Sequence, residues 1–90
     1  MEHRSTRCTY FLQAQYEQRQ AERKEVSRNY DEALKYRESA LEHLILSLST
    51  TSNANVFQNI TLQAETEKQH IRRLRRMYVL HWYCYVVYLT

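Results

Sequence analysis

The sequence predicts an all-α protein, an antiparallel three-helix bundle with a long third helix. Three observations favour this fold. The 90 residues include no glycine and no proline, so tight turns lack the residues that usually build them. Apolar residues recur every three or four positions over much of the chain, as they do on the buried face of a helix. The polar segments between these stretches are short, which is typical of antiparallel neighbours.

The first helix is predicted from about Tyr10 to Val26. Its apolar positions are sparse, and most residues between them are Gln, Glu, Arg or Lys, which are strong helix formers. Such a helix has one thin apolar edge, so its stability must come mainly from docking on its neighbours. Residues 1–9 are polar with scattered charge, and we expect them to be frayed.

The second helix is predicted from Asn29 to Leu48 and is the clearest in the chain. Asn29 is a favourable N-cap, because its side-chain oxygen can accept a hydrogen bond from an otherwise unpaired N–H of the first turn. Glu32, three residues later, can reach back to the Asn29 N–H as in a capping box. Helical spacing gathers one stripe on this helix: Ala33, Leu34, Arg37, Ala40, Leu41, Leu44, Ile45 and Leu48.

The third helix is predicted to begin after the cluster of turn formers at residues 49–55, with Ser52 or Asn53 as its cap. Its seam is apolar except for Glu67, which interrupts it once. Residues 10–78 then form one three-helix domain, small enough that its core is marginal. The seam repeats at helical spacing: Val56, Phe57, Ile60, Ala64, Glu67, Ile71, Leu74 and Tyr78.

An aromatic tail at residues 79–90 follows a strongly basic run. As a helix, residues 77–89 would span roughly 20 Å, less than the roughly 30 Å of a bilayer's hydrocarbon core, so a full membrane span is not expected. Three interpretations remain: an extension of the third helix, a contact with a membrane interface, or a non-native end. The sequence favours the last, because nothing upstream offers a partner for so much aromatic surface.

No motif in the sequence indicates catalysis, a cofactor or a metal site. Glu38 and Glu42 share a helix face, and such i,i+4 carboxylates usually form a solvated face. His43 and His70 have no second ligand at helical spacing. We therefore expect a non-enzymatic protein that binds neither cofactor nor metal.

Four arginines, Arg72, Arg73, Arg75 and Arg76, form the basic run. The net charge of +3 is too small to identify a nucleic-acid binder by itself. The run is interpreted first as a solvated basic face. The run also supports an alternative function for the chain. In this alternative the chain is a basic helical protein that binds nucleic acid or an acidic membrane surface through residues 72–76.

A groove beside the third helix is the candidate partner-binding site, since an amphipathic helix can lie along a three-helix bundle. Glu38, Glu42 and Ile45 would form one wall of the groove. Gln63, Glu67 and Ile71 would form the other. Ile45 and Ile71 have an alternative role, which is to complete the core.

The run Asn29-Tyr30-Asp31-Glu32-Ala33-Leu34, followed by Tyr36 and Ala40-Leu41-Glu42, resembles the second helix of MIT (microtubule-interacting and trafficking) domains. The resemblance covers about residues 10–78. Small residues at Ala14, Ala21 and Val26 resemble the first helix of the family. Leu62-Gln63 and the late Ile71, Leu74 and Tyr78 resemble the third helix of the branch of the family that acts in autophagy.

The resemblance implies a cytoplasmic adaptor that performs no chemistry and binds helical or extended motifs of partner proteins. In most of the family these partners are ESCRT-III tails in endosomal sorting; in the autophagy branch the partner is the autophagy-specific class III phosphatidylinositol 3-kinase complex. The basic end of the third helix departs from the acidic, leucine-lined end of ESCRT-binding members. The expected location is the cytoplasm, at autophagosomes or endosomes, with the nucleus as an alternative.

Overall fold

The computed structural model describes residues 2–89, and it describes side chains from Thr9 onward except those of residues 81, 85 and 89. Three helices make up the fold: α1 (Glu2–Val26), α2 (Tyr30–Ser49) and α3 (Ala54–Leu89). The described residues contain no strand. The predicted all-α three-helix bundle with a long third helix is therefore confirmed. At 36 residues, α3 is about 54 Å long and sets the 58 Å long dimension of the molecule.

Helix α1 begins at Glu2, eight residues before its predicted start at Tyr10. The expectation that residues 1–9 are frayed is therefore wrong for residues 2–9, and Met1 lies outside the described residues. No glycine or proline in this segment ends the helix. Adding residues to an existing helix costs far less than starting one, so a polar segment can continue it.

The turn between α1 and α2 is a Schellman motif without glycine. The Asn29 N–H donates to the Lys24 carbonyl over 2.8 Å, and the Arg28 N–H donates to the Glu25 carbonyl over 3.0 Å. These are the two hydrogen bonds that close such a helix end. Arg28 occupies the left-handed position, with φ of 62°, where glycine is usual.

Asn29 also caps α2, as predicted. Its Oδ1 accepts a hydrogen bond from the Glu32 N–H over 3.4 Å. The reciprocal half of the predicted capping box is replaced, because the Asn29 N–H already donates to Lys24. The Glu32 carboxylate instead binds Nζ of Lys24 at 2.7 Å, which links α2 to the end of α1.

The α2–α3 connection is held by hydroxyl and amide side chains. Thr50 and Thr51 donate to the Ser47 carbonyl at 2.9 and 2.8 Å. Asn53 Oδ1 accepts from the N–H groups of Asn55 and Val56 at 2.9 and 3.2 Å. Of the two predicted caps, Asn53 is therefore the one that begins α3.

Helix α2 lies between the other two helices. It packs against both α1 and α3, whereas no Cα atom of α1 lies within 8 Å of α3 among the described residues. Helices α1 and α2 run antiparallel, because Lys24 pairs with Glu32 near their shared turn and Glu17 pairs with His43 farther from it. Helices α2 and α3 are also antiparallel, because Ser47 and Ile60 line one depression beside their connection, and Glu38 pairs with Arg75 farther from it. The apolar interior is built largely from small residues: Ala14, Ala21, Ala33, Ala40, Leu44, Ile60, Ala64, Ile71 and Leu74.

The predicted α3 seam is buried only in its middle. Val56 and Phe57 at its start and Tyr78 at its end are exposed. Beyond Tyr78, α3 continues without interruption to Leu89. The backbone of residues 79–89 is thus an extension of α3, and Thr90 lies outside the described residues.

Candidate interaction surfaces

A cleft of about 280 Å³ separates α2 from α3 on one side of the bundle. Leu41 is half-buried and Ile71 is buried, so these two side chains form its apolar floor. Glu38 of α2 and Arg75 of α3 meet across it, with Oε2 and Nη2 at 2.9 Å. This ion pair is exposed on both sides, so it can open at little cost.

The two rims of this α2–α3 cleft carry opposite charges. Lys68, Arg72 and Arg75 make the α3 rim basic, whereas Glu38 and its i+4 neighbour Glu42 make the α2 rim acidic. Ile45 follows Leu41 by four residues and therefore lies on the same side of α2. It is 50% exposed and extends the apolar strip of the floor toward solvent.

The predicted partner-binding residues lie in different environments. Glu38, Glu42 and Ile45 are exposed beside the cleft, so Ile45 does not take the alternative role of completing the core. Ile71 does complete the core and reaches the cleft only as its floor. Gln63 is half-buried and donates to Asn59 Oδ1 over 3.1 Å.

Glu67, also predicted to contact a partner, lies instead in the interior, with only 2% of its surface exposed. Its Oε1 is 2.8 Å from Arg37 Nη1, and Gln18 Nε2 donates to the same oxygen over 3.0 Å. Arg37 is 4% exposed and also binds the Glu25 carboxylate through Nη2 at 2.8 Å. Residues from all three helices therefore meet in one buried ion network.

This buried network was visible in the sequence only as two anomalies. Arg37 is the charged residue in the α2 stripe, and Glu67 is the charged residue in the α3 seam. A charge inside an apolar stripe usually has a buried partner of opposite sign. The two anomalies therefore indicate a buried pair, although not the helix register that brings Arg37 and Glu67 together. The second oxygen, Oε2 of Glu67, is buried without a hydrogen-bond partner among the described residues.

The basic run is divided by the fold into paired and unpaired arginines. Arg73 Nη2 binds Glu25 Oε1 at 2.7 Å, and Arg75 binds Glu38. Arg72 and Arg76 are exposed and make no ion pair within the part of the chain that is described. Half of the run is thus neutralised by the bundle, and half remains available to an anionic ligand.

A second polar group joins α1 to α2. His43 Nδ1 lies 2.6 Å from Glu17 Oε1, and Ser39 Oγ donates to the other carboxylate oxygen. The carboxylate of Glu17 therefore lies between the hydroxyl and the imidazole. This order differs from that of a Ser-His-Asp relay, in which the imidazole lies between the hydroxyl and the carboxylate. Tyr10 stacks on the His43 ring at a centroid distance of 6.2 Å, so His43 is a packed boundary residue.

A wider apolar depression of about 460 Å³ lies at the α2–α3 connection. The sequence does not predict this depression, because it depends on Phe11 of α1 reaching the start of α3. Its lining comes from all three helices and the loop: Phe11, Ser47, Thr51, Ser52, Asn53, Val56, Asn59 and Ile60.

One exposed ion pair shifts the titration of its partners. The hydrogen bond to Glu32, with the attraction of its charge, raises the pKa of Lys24. The hydrogen bond from Lys24, again with its charge, lowers the pKa of Glu32. Both shifts follow from the charged form of each group being stabilised by the other.

Among the described residues, no group of three or more His, Cys, Asp and Glu side chains is placed so as to hold a metal ion. In the same residues, every helix is too short or too polar to cross a bilayer.

Comparison with known proteins gave no match: no protein-family model, no curated protein and no solved structure is similar to this chain.

Proposed function

We propose that this chain is a non-enzymatic adaptor domain that binds an amphipathic helix of a partner protein in the α2–α3 cleft. The observation that carries the proposal is the exposed Ile45 beside an apolar floor of Leu41 and Ile71. An apolar strip framed by charged rims fits the helix-in-groove mode, in which anchors at i, i+3, i+4 and i+7 enter a hydrophobic groove.

The charges of the two rims define the partner. A helix with acidic residues along one edge would face Lys68 and Arg72, and basic residues on its other edge would face Glu42. Such complementary rims mainly fix orientation and raise the association rate. The apolar strip supplies the affinity, because burying it removes hydrocarbon from water.

The partner class follows from the resemblance of the chain to the MIT family, and within it to the nuclear receptor-binding factor 2 type. On this proposal the partner is a helical segment of the autophagy-specific class III phosphatidylinositol 3-kinase complex, and the domain acts on the cytoplasmic side of autophagosomes or endosomes. Arg72 and Arg76 leave the end of the bundle basic. That charge disfavours the ESCRT-III tails bound by family members with an acidic third helix.

A second candidate function is supported by the two unpaired arginines, Arg72 and Arg76. They would let a basic helical protein bind nucleic acid or an acidic membrane surface. Arg73 and Arg75 weaken this candidate for a nucleic-acid interface, because their charges are already paired with Glu25 and Glu38. Phosphate binding would have to break these pairs or rely on two residues alone.

The test is a binding assay with the purified autophagy-specific class III phosphatidylinositol 3-kinase complex. Ile45→Asp should weaken binding at least about tenfold, because a carboxylate would be buried against the apolar partner. Leu62→Asp is the matched control: Leu62 is exposed on α3 and does not line the cleft, so binding should be unchanged. Far-UV circular dichroism confirms that both variants fold.

A third variant, with Arg72, Arg73, Arg75 and Arg76 all changed to Gln, separates the two candidate functions. Under the groove proposal it binds more weakly than the wild type but better than Ile45→Asp, because only part of the cleft rim is altered. If it loses the partner while Ile45→Asp keeps it, the groove proposal is wrong. A steep loss of binding as the salt concentration rises would also favour the second candidate function over the groove proposal.

A further inference from the structure

The end of α3 is an apolar helix whose described side chains are largely exposed. We define the aromatic segment as residues 77–89. Of its described side chains from Val79 to Tyr88, all except Val86 are exposed, including Trp82 at 59%. Exposed apolar surface of this extent marks an interaction site in a folded protein.

The exposed residues occupy more than one side of the helix. Val79 and Tyr88 are nine residues apart and so lie on opposite sides, at 100° per residue, yet both are exposed. A second helix covers one side of its neighbour only. A medium that surrounds the helix covers all of them, which favours a lipid phase over one protein partner.

The charges that precede the segment have one sign. Lys68, Arg72, Arg73, Arg75 and Arg76 are basic, and no acidic residue follows Glu67 in the sequence. Arg72 and Arg76 have no ion-pair partner among the described residues. They are four residues apart, so they share one side of the helix, and Val79, Leu80 and Tyr83 continue that side. Unpaired cations beside an apolar surface match anionic lipid headgroups.

The length of the segment suits one leaflet. Its thirteen residues span about 20 Å as a helix, whereas the hydrocarbon core of a bilayer is about 30 Å thick. Tryptophan and tyrosine favour the boundary between headgroups and acyl chains, and the segment contains Trp82, Tyr83 and Tyr88 among its exposed residues.

We propose that the end of α3 inserts obliquely into one leaflet of an acidic membrane, with Arg72 and Arg76 at the lipid phosphates and the aromatic segment extending from the headgroup boundary into the acyl chains. This inference develops the membrane-binding part of the second candidate function, and it does not depend on the proposed protein partner. The bundle stays outside the bilayer and is held at the surface by a helix that is continuous with its own core. The α2–α3 cleft would then face a partner close to the membrane.

Trp82 is the sole tryptophan of the chain, so its fluorescence reports directly on the segment. The full chain is titrated with vesicles of phosphatidylcholine, with and without phosphatidylserine. We expect a blue shift with the acidic vesicles and none with the neutral ones. Lipids brominated in their acyl chains should quench Trp82, and raising the salt concentration should weaken binding.

Charge variants test the role of the two unpaired arginines. Arg72→Gln with Arg76→Gln should reduce partitioning into acidic vesicles about thirtyfold, since each basic residue near such a surface contributes roughly fivefold. Arg19→Gln with Arg23→Gln is the matched control. These α1 arginines are also exposed, so the control loses the same charge without touching the segment, and its partitioning should change little.

Any of three results overturns the proposal: equal binding to neutral and acidic vesicles, equal losses of partitioning in the two double variants, or no quenching of Trp82 fluorescence by the brominated lipids. A blue shift that grows with protein concentration before lipid is added would assign the segment to a second copy of the chain. A blue shift with duplex DNA alone would assign the arginines to nucleic acid. Either result also overturns it.

Discussion

At the turn between α1 and α2, Arg28 adopts a left-handed conformation, with φ of 62°. A side chain with a Cβ is strained there by about 1 kcal/mol or more. The strain persists because both Schellman hydrogen bonds require this left-handed conformation. The same conformation also places Asn29 where its side chain caps α2. The turn that joins the two helices therefore depends on the conformation of Arg28.

Replacing Arg28 with Gly should raise the free energy of unfolding by about 0.5–1 kcal/mol, because glycine adopts positive φ without strain and its greater freedom when unfolded offsets only part of the gain. Urea unfolding followed by circular dichroism measures the change. Ser27→Gly in the same turn is the control and should give no gain. An Arg28→Gly variant no more stable than wild type would show that the position is not strained.

Arg37 is the residue on which the buried ion network depends. It binds both Glu67 and Glu25. Arg37→Met should therefore cost about 3 kcal/mol or more, because Glu67 would keep a buried, uncompensated charge. Changing Glu67→Leu in the same chain should recover most of that loss, since an apolar pair of similar volume replaces an ion pair that was expensive to bury.

The free energies of unfolding of these two variants and of Arg72→Met, an exposed arginine control, test this directly. A single Arg37→Met variant that loses less than about 1 kcal/mol would mean that solvent reaches the network. A double variant less stable than the single one would mean that the network contributes net stability beyond the packing of its side chains.

At the scale of the elements, α1 and α2 are linked near their shared turn by Lys24 and Glu32, 2.7 Å apart. The pKa of Glu32 is lowered, so its contribution to stability is fully present above the ordinary value of 4.5 and is lost as the pH falls further. The pKa of Lys24 is raised, so its contribution is present below 10.5 and is lost at higher pH.

Glu32→Gln should therefore melt at a temperature that depends less steeply on pH below about pH 4.5 than that of wild type. Thermal scans between neutral and acidic pH compare the two proteins. Glu42→Gln removes the same charge from an exposed position on α2 and serves as the control. If the melting temperatures of Glu32→Gln and wild type depend on pH in the same way, the Lys24–Glu32 pair does not contribute to stability in solution.

The end of α3 is separable from the bundle in energetic terms. Removing residues 79–90 should leave the melting temperature almost unchanged, because the described side chains there are largely exposed and contribute nothing to the core. Removing residues 72–90 should unfold the protein, since Leu74 is completely buried. A large loss of stability in the shorter deletion would show that the aromatic segment packs on the bundle.

The elements themselves could be predicted from local signals. Asn29 and Asn53 act as caps, and the helical spacing of apolar residues marks α2 and the middle of α3. The start of α1 could not be predicted from periodicity, because residues 2–9 carry no apolar stripe. They are helical in the structure as the continuation of a helix that is stabilised farther along.

At the scale of the whole molecule, α2 holds the bundle together. Its backbone approaches both α1 and α3 closely, whereas among the described residues α1 and α3 meet only through side chains such as Glu25 and Arg73. Its alanines, Ala33 and Ala40, let the neighbouring helices approach closely. Small side chains bury little apolar area, so each contact stabilises the fold modestly. The buried charges of Arg37 and Glu67 occupy space that leucines fill in a more apolar core.

The candidate site could be predicted from sequence only in part. Glu38, Glu42 and Ile45 lie on one face of a single helix, and periodicity alone places them there. Helical periodicity places Glu67 on the opposite wall, because it gives the position of Glu67 on α3 but not its partner. Pairing with Arg37 depends on the relative register of two helices, which is set by packing and by the turn and cannot be read from either helix alone.

The central claim is that a partner helix binds in the α2–α3 cleft, and hydrogen–deuterium exchange in the presence of the purified class III kinase complex tests it most directly. We predict that added protection falls on residues 38–48 of α2 and 64–75 of α3, with little change in α1, because binding there slows local opening. The same measurement on Ile45→Asp should show no added protection. Protection confined to α1 or to residues 79–89, or protection that persists in Ile45→Asp, would contradict the claim.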